Sequence, residues 1–258
     1  MEKPPMTLST CLVEFQGQVG IVTLNRPERH NSLVPTLLEE LGASLAQVAQ
    51  AQECQVLILT ARGRNFSTGG DVRAFYEHRA DLESYAYHLV GLLNQIILTL
   101  LEMPMPVIAA APGIITGGSL GLLLSADITF ITPETTITPY YTVVGFSPDG
   151  GWTALLPQII GARRVADILL RNLSITAEQA VAWGLAGQVI TRERLLDEAF
   201  AAADTLLHHQ PGAMHHTRQL LRGDLSAIAA RLEAERAHFV QQILTPEAMA
   251  GMERFLGE

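Results

Sequence analysis

Gly113-Ile-Ile-Thr-Gly-Gly-Ser-Leu-Gly121 decides the fold of this chain, because of what stands on either side of it. Before it lies Pro106–Ala111 (PVIAAA), a short apolar run bounded by proline and glycine, which predicts a buried strand. After it, Leu120–Leu124 with Ser125-Ala126 predicts the first turns of an apolar helix. Glycine at a helix start lets another molecule approach the backbone, where free N–H groups and the positive end of the dipole favour negative charge. The stretch is therefore equipped to hold a negatively charged oxygen.

A second segment of the same design lies upstream. Val56–Thr60 (VLILT) predicts a strand, and Ala61-Arg-Gly-Arg-Asn-Phe-Ser-Thr-Gly-Gly-Asp-Val-Arg73 follows it. Gly69-Gly70 predicts a tight turn, and Asp71 is suited to cap a short helix beginning there. The order strand, glycine turn, helix thus occurs twice. Two backbone N–H donors from two such turns, converging on one point, make an oxyanion hole. Taken singly, each turn reads better as an ordinary loop of an α/β protein.

Composition bounds the rest. A chain of 258 residues suits one large core, or a core with a helical appendage. With 48% hydrophobic and 17% charged residues it is globular, not disordered. A net charge of −9 argues against nucleic acid or an anionic membrane as partner. Cys11 and Cys54 are too few for a disulfide framework, which fits a reducing compartment and a cytoplasmic protein. The first residues, MEKPPMTLST, carry no apolar run of a signal peptide. Leu92–Leu101 comes nearest to a membrane span but is short, with Glu102 and Pro104 behind it, so no membrane segment is expected. Up to about residue 190 short apolar strands alternate with helices. Beyond it Arg192–His209, Ala213–Leu221, Leu225–Leu244 and Glu247–Phe255 all show apolar residues at helical spacing. The alanines of Ala199–Ala203 fit close helix packing.

Four segments carry a resemblance. Val19–Leu24 leading into Asn25-Arg-Pro-Glu-Arg-His-Asn-Ser-Leu33, then Phe66-Ser-Thr-Gly-Gly-Asp71, Gly113–Asp127 and Val144-Gly-Phe-Ser-Pro-Asp-Gly-Gly151 occur in this order and spacing. Together they resemble the enoyl-CoA hydratase/isomerase (crotonase) family, with good motif quality from about residue 12 to about 190. The resemblance implies an α/β fold: a crotonase-like ββα spiral core over residues 1–190 and a helical C-terminal trimerisation region over 191–258. It implies an acyl-CoA thioester as substrate, no permanently bound cofactor, and a homotrimer or dimer of trimers. It also implies an enolate intermediate held by the N–H groups of Gly70 and Gly118. The substrate-binding positions it points to are Arg29, Thr68, Gly70, Asp71, Val72, Arg73, Gly118, Tyr140 and Phe146.

The departures from the family pattern choose the reaction. Hydratases of the family hold water between two glutamates; here one position is Gly121 and the other falls in Pro139-Tyr140-Tyr141, which has no acid. Asp149, in Phe146-Ser-Pro-Asp-Gly-Gly151, matches the single acid of the family's double-bond isomerases, and no other acid is expected nearby. One acid that takes a proton and returns it elsewhere suffices for an allylic isomerisation, of the Δ3-Δ2-enoyl-CoA or phenylacetate-pathway type, but not for hydration. Read alone, Asp149 is also a good N-cap for a helix starting near Trp152.

Other readings stay open on the residues. Asp71 orders the first glycine loop rather than doing chemistry. Arg26, Arg29 and Arg73 suit CoA phosphates, or are plain surface arginines. Tyr140, Tyr141 and Phe146 line an acyl pocket, or are core. His208-His209 and His215-His216 form no metal site, because neighbours on a helix point to different faces. Gly117-Gly-Ser-Leu-Gly121 also matches the G-x-S-x-G elbow of serine α/β-hydrolases with Ser119 as nucleophile, although Pro112–Gly117 separate it from its strand. A hydratase-like enzyme, or an acyl-CoA-binding scaffold with little turnover, completes the alternatives.

Overall fold

The computed structural model describes residues 10–257. The N-terminal residues 1–9, read above as lacking a signal peptide, lie outside the described residues. β1 (Cys11–Gln16) and β2 (Val19–Leu24) form a hairpin around Gly17, whose φ of 58° suits a two-residue turn. After a 3-10 turn at Pro27–Arg29, α1 (Pro35–Gln50) leads to β3 (Val56–Ala61), α2 (Val72–Glu77), α3 (Leu82–Glu102) and β4 (Val107–Ala111). Then follow β5 (Ile114–Thr116), a 3-10 turn at Gly117–Ser119, α4 (Leu120–Leu124), β6 (Ile128–Ile131) and β7 (Thr136–Thr138). α5 (Tyr141–Val144), α6 (Leu156–Ile160), α7 (Ala162–Arg171), β8 (Ile175–Thr176), α8 (Ala177–Ala182) and β9 (Gln188–Val189) complete the mixed region. The remainder is helical: α9 (Leu195–Leu207), α10 (Pro211–Arg222), α11 (Leu225–Ile243) and α12 (Pro246–Leu256).

Two sheets carry the strands. The larger runs β1-β2-β3-β4-β6-β9, parallel throughout except for the β1–β2 hairpin. The smaller runs β5-β7-β8. A parallel sheet covered on both faces needs apolar residues at every position, which is why VLILT and VIAAA show no alternation. The pleat then separates the two faces. Val22, Leu24, Leu57, Leu59, Val107 and Ala109 pack into the main core with α1 and α3. Val19, Ile21, Val56, Ile58, Ile108 and Ala110 pack against Leu195, Ala199 and Ala203 of α9. The alanines of α9 thus let that helix lie close against the sheet. α11 packs along α3, and α12 against α2 and α5, so the C-terminal helices close over the first 190 residues of the same chain.

Three expectations change. The strand at 107–111 does not feed a helix directly, because β5 and the 3-10 turn intervene. The helix itself is only α4, which stops at Leu124, where the Ser125 hydroxyl bonds the Gly121 carbonyl at 2.7 Å. No helix begins near Trp152: residues 150–155 form turns, and α6 starts at Leu156. Finally, α3 is one unbroken helix of 21 residues, long and apolar enough by length and composition to cross a membrane. Its apolar residues, among them Leu89, Val90, Leu93 and Ile97, are instead buried in the main core. Cys11 and Cys54 are buried and unpaired, and burial pushes the Cys11 thiol up to about 12.

Candidate active site

The two glycine turns meet backbone to backbone. Gly69 has φ 71°, and a Cβ there would stand 2.5 Å from the Thr116 carbonyl oxygen and 3.3 Å from Gly117 Cα. Only glycine satisfies both the dihedral and the approach. Ser67 N–H donates to the Ile114 carbonyl at 3.3 Å, and Thr116 N–H to the Ser67 carbonyl at 3.2 Å, so the first turn pairs with β5. Ser119 ties the turns together, its hydroxyl standing 3.0 Å from the Ser67 carbonyl and 2.7 Å from that of Thr116. It is fully buried, and the α/β-hydrolase reading of Ser119 fails here. A nucleophile must be exposed above its turn, whereas this hydroxyl is a clamp.

The clamp sets the direction of two N–H groups. Leu33 N–H donates to the Gly69 carbonyl (2.7 Å) and Asp71 N–H to the Leu33 carbonyl (3.1 Å), so the N–H of Gly70, between them, faces the opposite side. Gly118 lies in the first turn of the 3-10 helix, where N–H groups have no intrahelical acceptor. Gly70 and Gly118 line one cavity of about 510 Å³.

Asp149 stands beside Gly118. A Cβ on Gly118 would lie 2.9 Å from Asp149 Oδ2, so the carboxylate sits over the bare Cα. Its other oxygen accepts from the Tyr141 hydroxyl at 2.6 Å. Asp149 is buried, and desolvation raises its pKa to about 7; the Tyr141 hydrogen bond lowers it and the Glu235 charge adds to the rise. A carboxyl of that pKa exchanges protons readily near neutral pH. The helix it was expected to cap is absent, and its side chain is turned into the cavity instead.

Asp71 has a different role. Its Oδ1 caps α2 by accepting from Ala74 N–H at 3.3 Å. Its Oδ2 accepts from the Ser32 hydroxyl (3.0 Å), Arg29 (3.3 Å) and Arg26 (3.4 Å). Burial alone would raise its pKa, but the Ser32 and Ala74 hydrogen bonds and the Arg29 charge outweigh it and hold the carboxyl below its ordinary value. Asp71 therefore orders the first glycine loop as an anion. Arg26 is spent inside this loop on Ser32 and Asp71. Arg29 pairs with Asp71 and reaches the cavity mouth, where Thr68, Val72 and Arg73 also lie.

The inner end is aromatic. Phe75 stacks edge-on to Phe146 at 5.8 Å, and Phe146 to Phe239 at 5.4 Å. Leu89, Val90 and Leu93 of α3 close that end. Tyr140 stands at the rim, 41% exposed and in the left-handed region at φ 61°, near Phe255 of α12. Tyr141, its neighbour, is the buried one that touches Asp149.

Two further positions settle which acids are present. Gly121 has no space for a side chain: a Cβ there would lie 2.6 Å from the Gly150 carbonyl oxygen, with the Ile97 side chain closer still. The expectation that Asp149 has no acid nearby needs correction, because Glu235 lies behind the same turn. Its carboxylate does not line the cavity; it accepts the N–H groups of Gly151 (2.8 Å), Thr153 (2.6 Å) and Ala154 (2.9 Å). The signal for it was in the periodicity: Ile228, Leu232, Glu235, Phe239 and Ile243 form one buried stripe of α11, with a glutamate at an apolar position. Phe75 and Phe239 were likewise missed as pocket residues. Of the histidines, His208 Nδ1 bonds the Asp204 carbonyl one turn back at 2.7 Å, and among the described residues no group of three His, Cys, Asp or Glu is gathered to hold a metal.

Fold and site together define an α/β enzyme of crotonase type. The chain matches the enoyl-CoA hydratase/isomerase family over residues 14–258 and belongs to that family. It is 34% identical over 241 residues to a probable enoyl-CoA hydratase of Mycobacterium tuberculosis, covering 89% of this chain and 83% of the relative. A 1,2-epoxyphenylacetyl-CoA isomerase of Escherichia coli is 29% identical over 227 residues, 87% of each chain. Among solved structures, an enoyl-CoA hydratase from Bacillus halodurans shares the fold at TM-score 0.88 and 24% identity, over 95% of this chain and 100% of that one. OdaA of Pseudomonas aeruginosa superposes at TM-score 0.86 with 26% identity, over 96% and 99%.

Proposed function

We propose that this protein is an acyl-CoA isomerase that shifts a carbon–carbon double bond in an enoyl-CoA. The thioester carbonyl oxygen sits between the N–H groups of Gly70 and Gly118. Asp149 as carboxylate takes a proton from C2 of a 3-enoyl thioester, and the C–H electron pair moves into C1–C2. The resulting negative charge rests on the thioester oxygen, where the two donors stabilise it. The enolate then reforms the carbonyl, C4 takes the proton back from Asp149, and the double bond ends between C2 and C3. Coenzyme A arrives as part of the substrate, and Arg29 and Arg73, both on the cavity wall, are its proposed phosphate contacts.

The observation that carries this reading is Asp149 itself, buried in the cavity beside Gly118 and, among the described residues, without an arginine partner. Asp71 is held by two arginines, and Glu28, also on the cavity wall, is exposed. Hydration competes, since relatives include probable hydratases. It requires a second acid to activate water, and the packing at Gly121 leaves no room for one. The exposed Leu220 and Leu221 of α10 support an oligomer built through the helical region, which light scattering of the purified protein would test. For the reaction, the unmodified protein is given 3-hexenoyl-CoA and crotonyl-CoA. Isomerisation of the first with little hydration of the second is expected; efficient hydration of crotonyl-CoA overturns the proposal.

A further inference from the structure

The segment that carries Asp149 has no regular structure of its own, yet it is held at several points by one helix. On α11, Glu235, Phe239 and Gln242 follow at helical spacing on one face. Gln242 Nε2 donates to the Gly145 carbonyl at 3.0 Å, and Phe239 packs on Phe146. Glu235 gathers the N–H groups of Gly151, Thr153 and Ala154, and accepts the Thr153 hydroxyl at 2.7 Å. Three N–H groups converging on one carboxylate behave as a helix start does towards an anion, although here the anion belongs to the protein. Buried carboxylates are costly unless bonded, and this one is bonded on both oxygens.

We infer that Glu235 is a positioning residue for the proton shuttle: it fixes the turn after Asp149 and so holds that carboxylate in the cavity, over the bare Gly118 Cα. The inference rests on Asp149 being the base. Glu235 also acts through its charge, which opposes ionisation of Asp149 and supports its basicity near neutral pH. The groups facing the pair are few. Tyr141 of α5 donates to Asp149. Arg231, one turn before Glu235, donates to the Thr153 carbonyl, and Arg236 is turned to Glu233 and Tyr87. α3 and the 3-10 turn present Leu89, Leu93 and Gly118 on that side of the cavity, none of which titrates.

The test compares Glu235→Gln, Glu235→Asp and Asp149→Asn in isomerisation of 3-hexenoyl-CoA over a range of pH. Glutamine keeps the shape but loses the charge and one acceptor. Its kcat is expected to fall by roughly 10- to 10²-fold with KM little changed, the cost of a small misplacement of a catalytic group. The midpoint of kcat/KM against pH is expected to move down, a shift that a merely structural role would not produce. A folded Glu235→Gln protein with unchanged kcat and midpoint, or with lowered thermal stability alone, overturns the inference. Should glutamine prevent folding, Glu235→Asp decides. It keeps the charge on a shorter arm, so kcat should fall by roughly 10-fold or more with the midpoint in place; unchanged kcat overturns the inference. Asp149→Asn separates the two claims: if it retains isomerisation, the base assignment fails and this inference with it. If it is inactive while the Glu235 variants behave as the unmodified protein, only the positioning role falls.

Discussion

Asp149 and Tyr141 form a pair whose chemistry is set by burial. The Tyr141 hydroxyl, 2.6 Å from Oδ1, stabilises the carboxylate against a desolvation that raises its pKa to about 7. On the proposed mechanism the carboxylate form acts as the base, so kcat/KM of the free enzyme should rise with pH through a midpoint near 7. Removing the donor with Tyr141→Phe should move that midpoint up, opposite in sign to the change expected of Glu235→Gln; a pH profile of each variant checks both. Stability follows the same titration. Between the ordinary carboxylate value and about 7 the folded chain holds a proton that the unfolded chain has released, so the fold loses stability as pH rises through that window. Asp149→Asn lacks this loss. Its urea-unfolding free energy should therefore exceed that of the unmodified protein at pH 8 by more than it does at pH 4. An equal difference at both pH values would contradict the raised pKa.

At the scale of elements, the site depends on two turns fitted together without side chains between them. Gly69→Ala would set a Cβ 2.5 Å from the Thr116 carbonyl oxygen at a φ of 71°. The variant should lose roughly 1–3 kcal/mol of stability, read by denaturant unfolding, because non-glycine backbone in that region is strained and the carbonyl must move. Both glycine turns were legible in the sequence because glycine-rich text between an apolar strand and a helix has few other readings. The strands at 56–61 and 107–111, and the four C-terminal helices to within a few residues, were legible for the same reason: long apolar patterns are hard to misread. The short pieces were not. β5 and the 3-10 turn at 117–119 carry no periodicity, and the turns at 150–155 mimic a capped helix start. Glu235 sits in a charged run, Arg231-Leu-Glu-Ala-Glu-Arg236, that looks like solvated surface until Leu232 and Phe239 are taken as its stripe.

The whole molecule brings remote parts of the chain to one point. The first glycine turn, the second, the Asp149 segment and α11 meet at the cavity, although more than half of the chain separates Gly70 from Glu235. The C-terminal helices are therefore walls of the site: Phe239 closes its aromatic end, and Phe255 with Leu256 stands at its rim. On the proposed mechanism, a cavity walled mainly by apolar side chains, with the Gly70 and Gly118 N–H groups as donors and Asp149 as the buried acid without an arginine, would stabilise developing oxyanion charge better than water does, since little reorganises when that charge appears. The central claim is that Asp149 moves the proton, and its isosteric variant tests this most directly. In Asp149→Asn, isomerisation of 3-hexenoyl-CoA should fall by roughly 10²- to 10⁴-fold while acyl-CoA binding changes little, because the donors of Gly70 and Gly118 are untouched. A folded Asp149→Asn protein that isomerises as fast as the unmodified one would contradict the account.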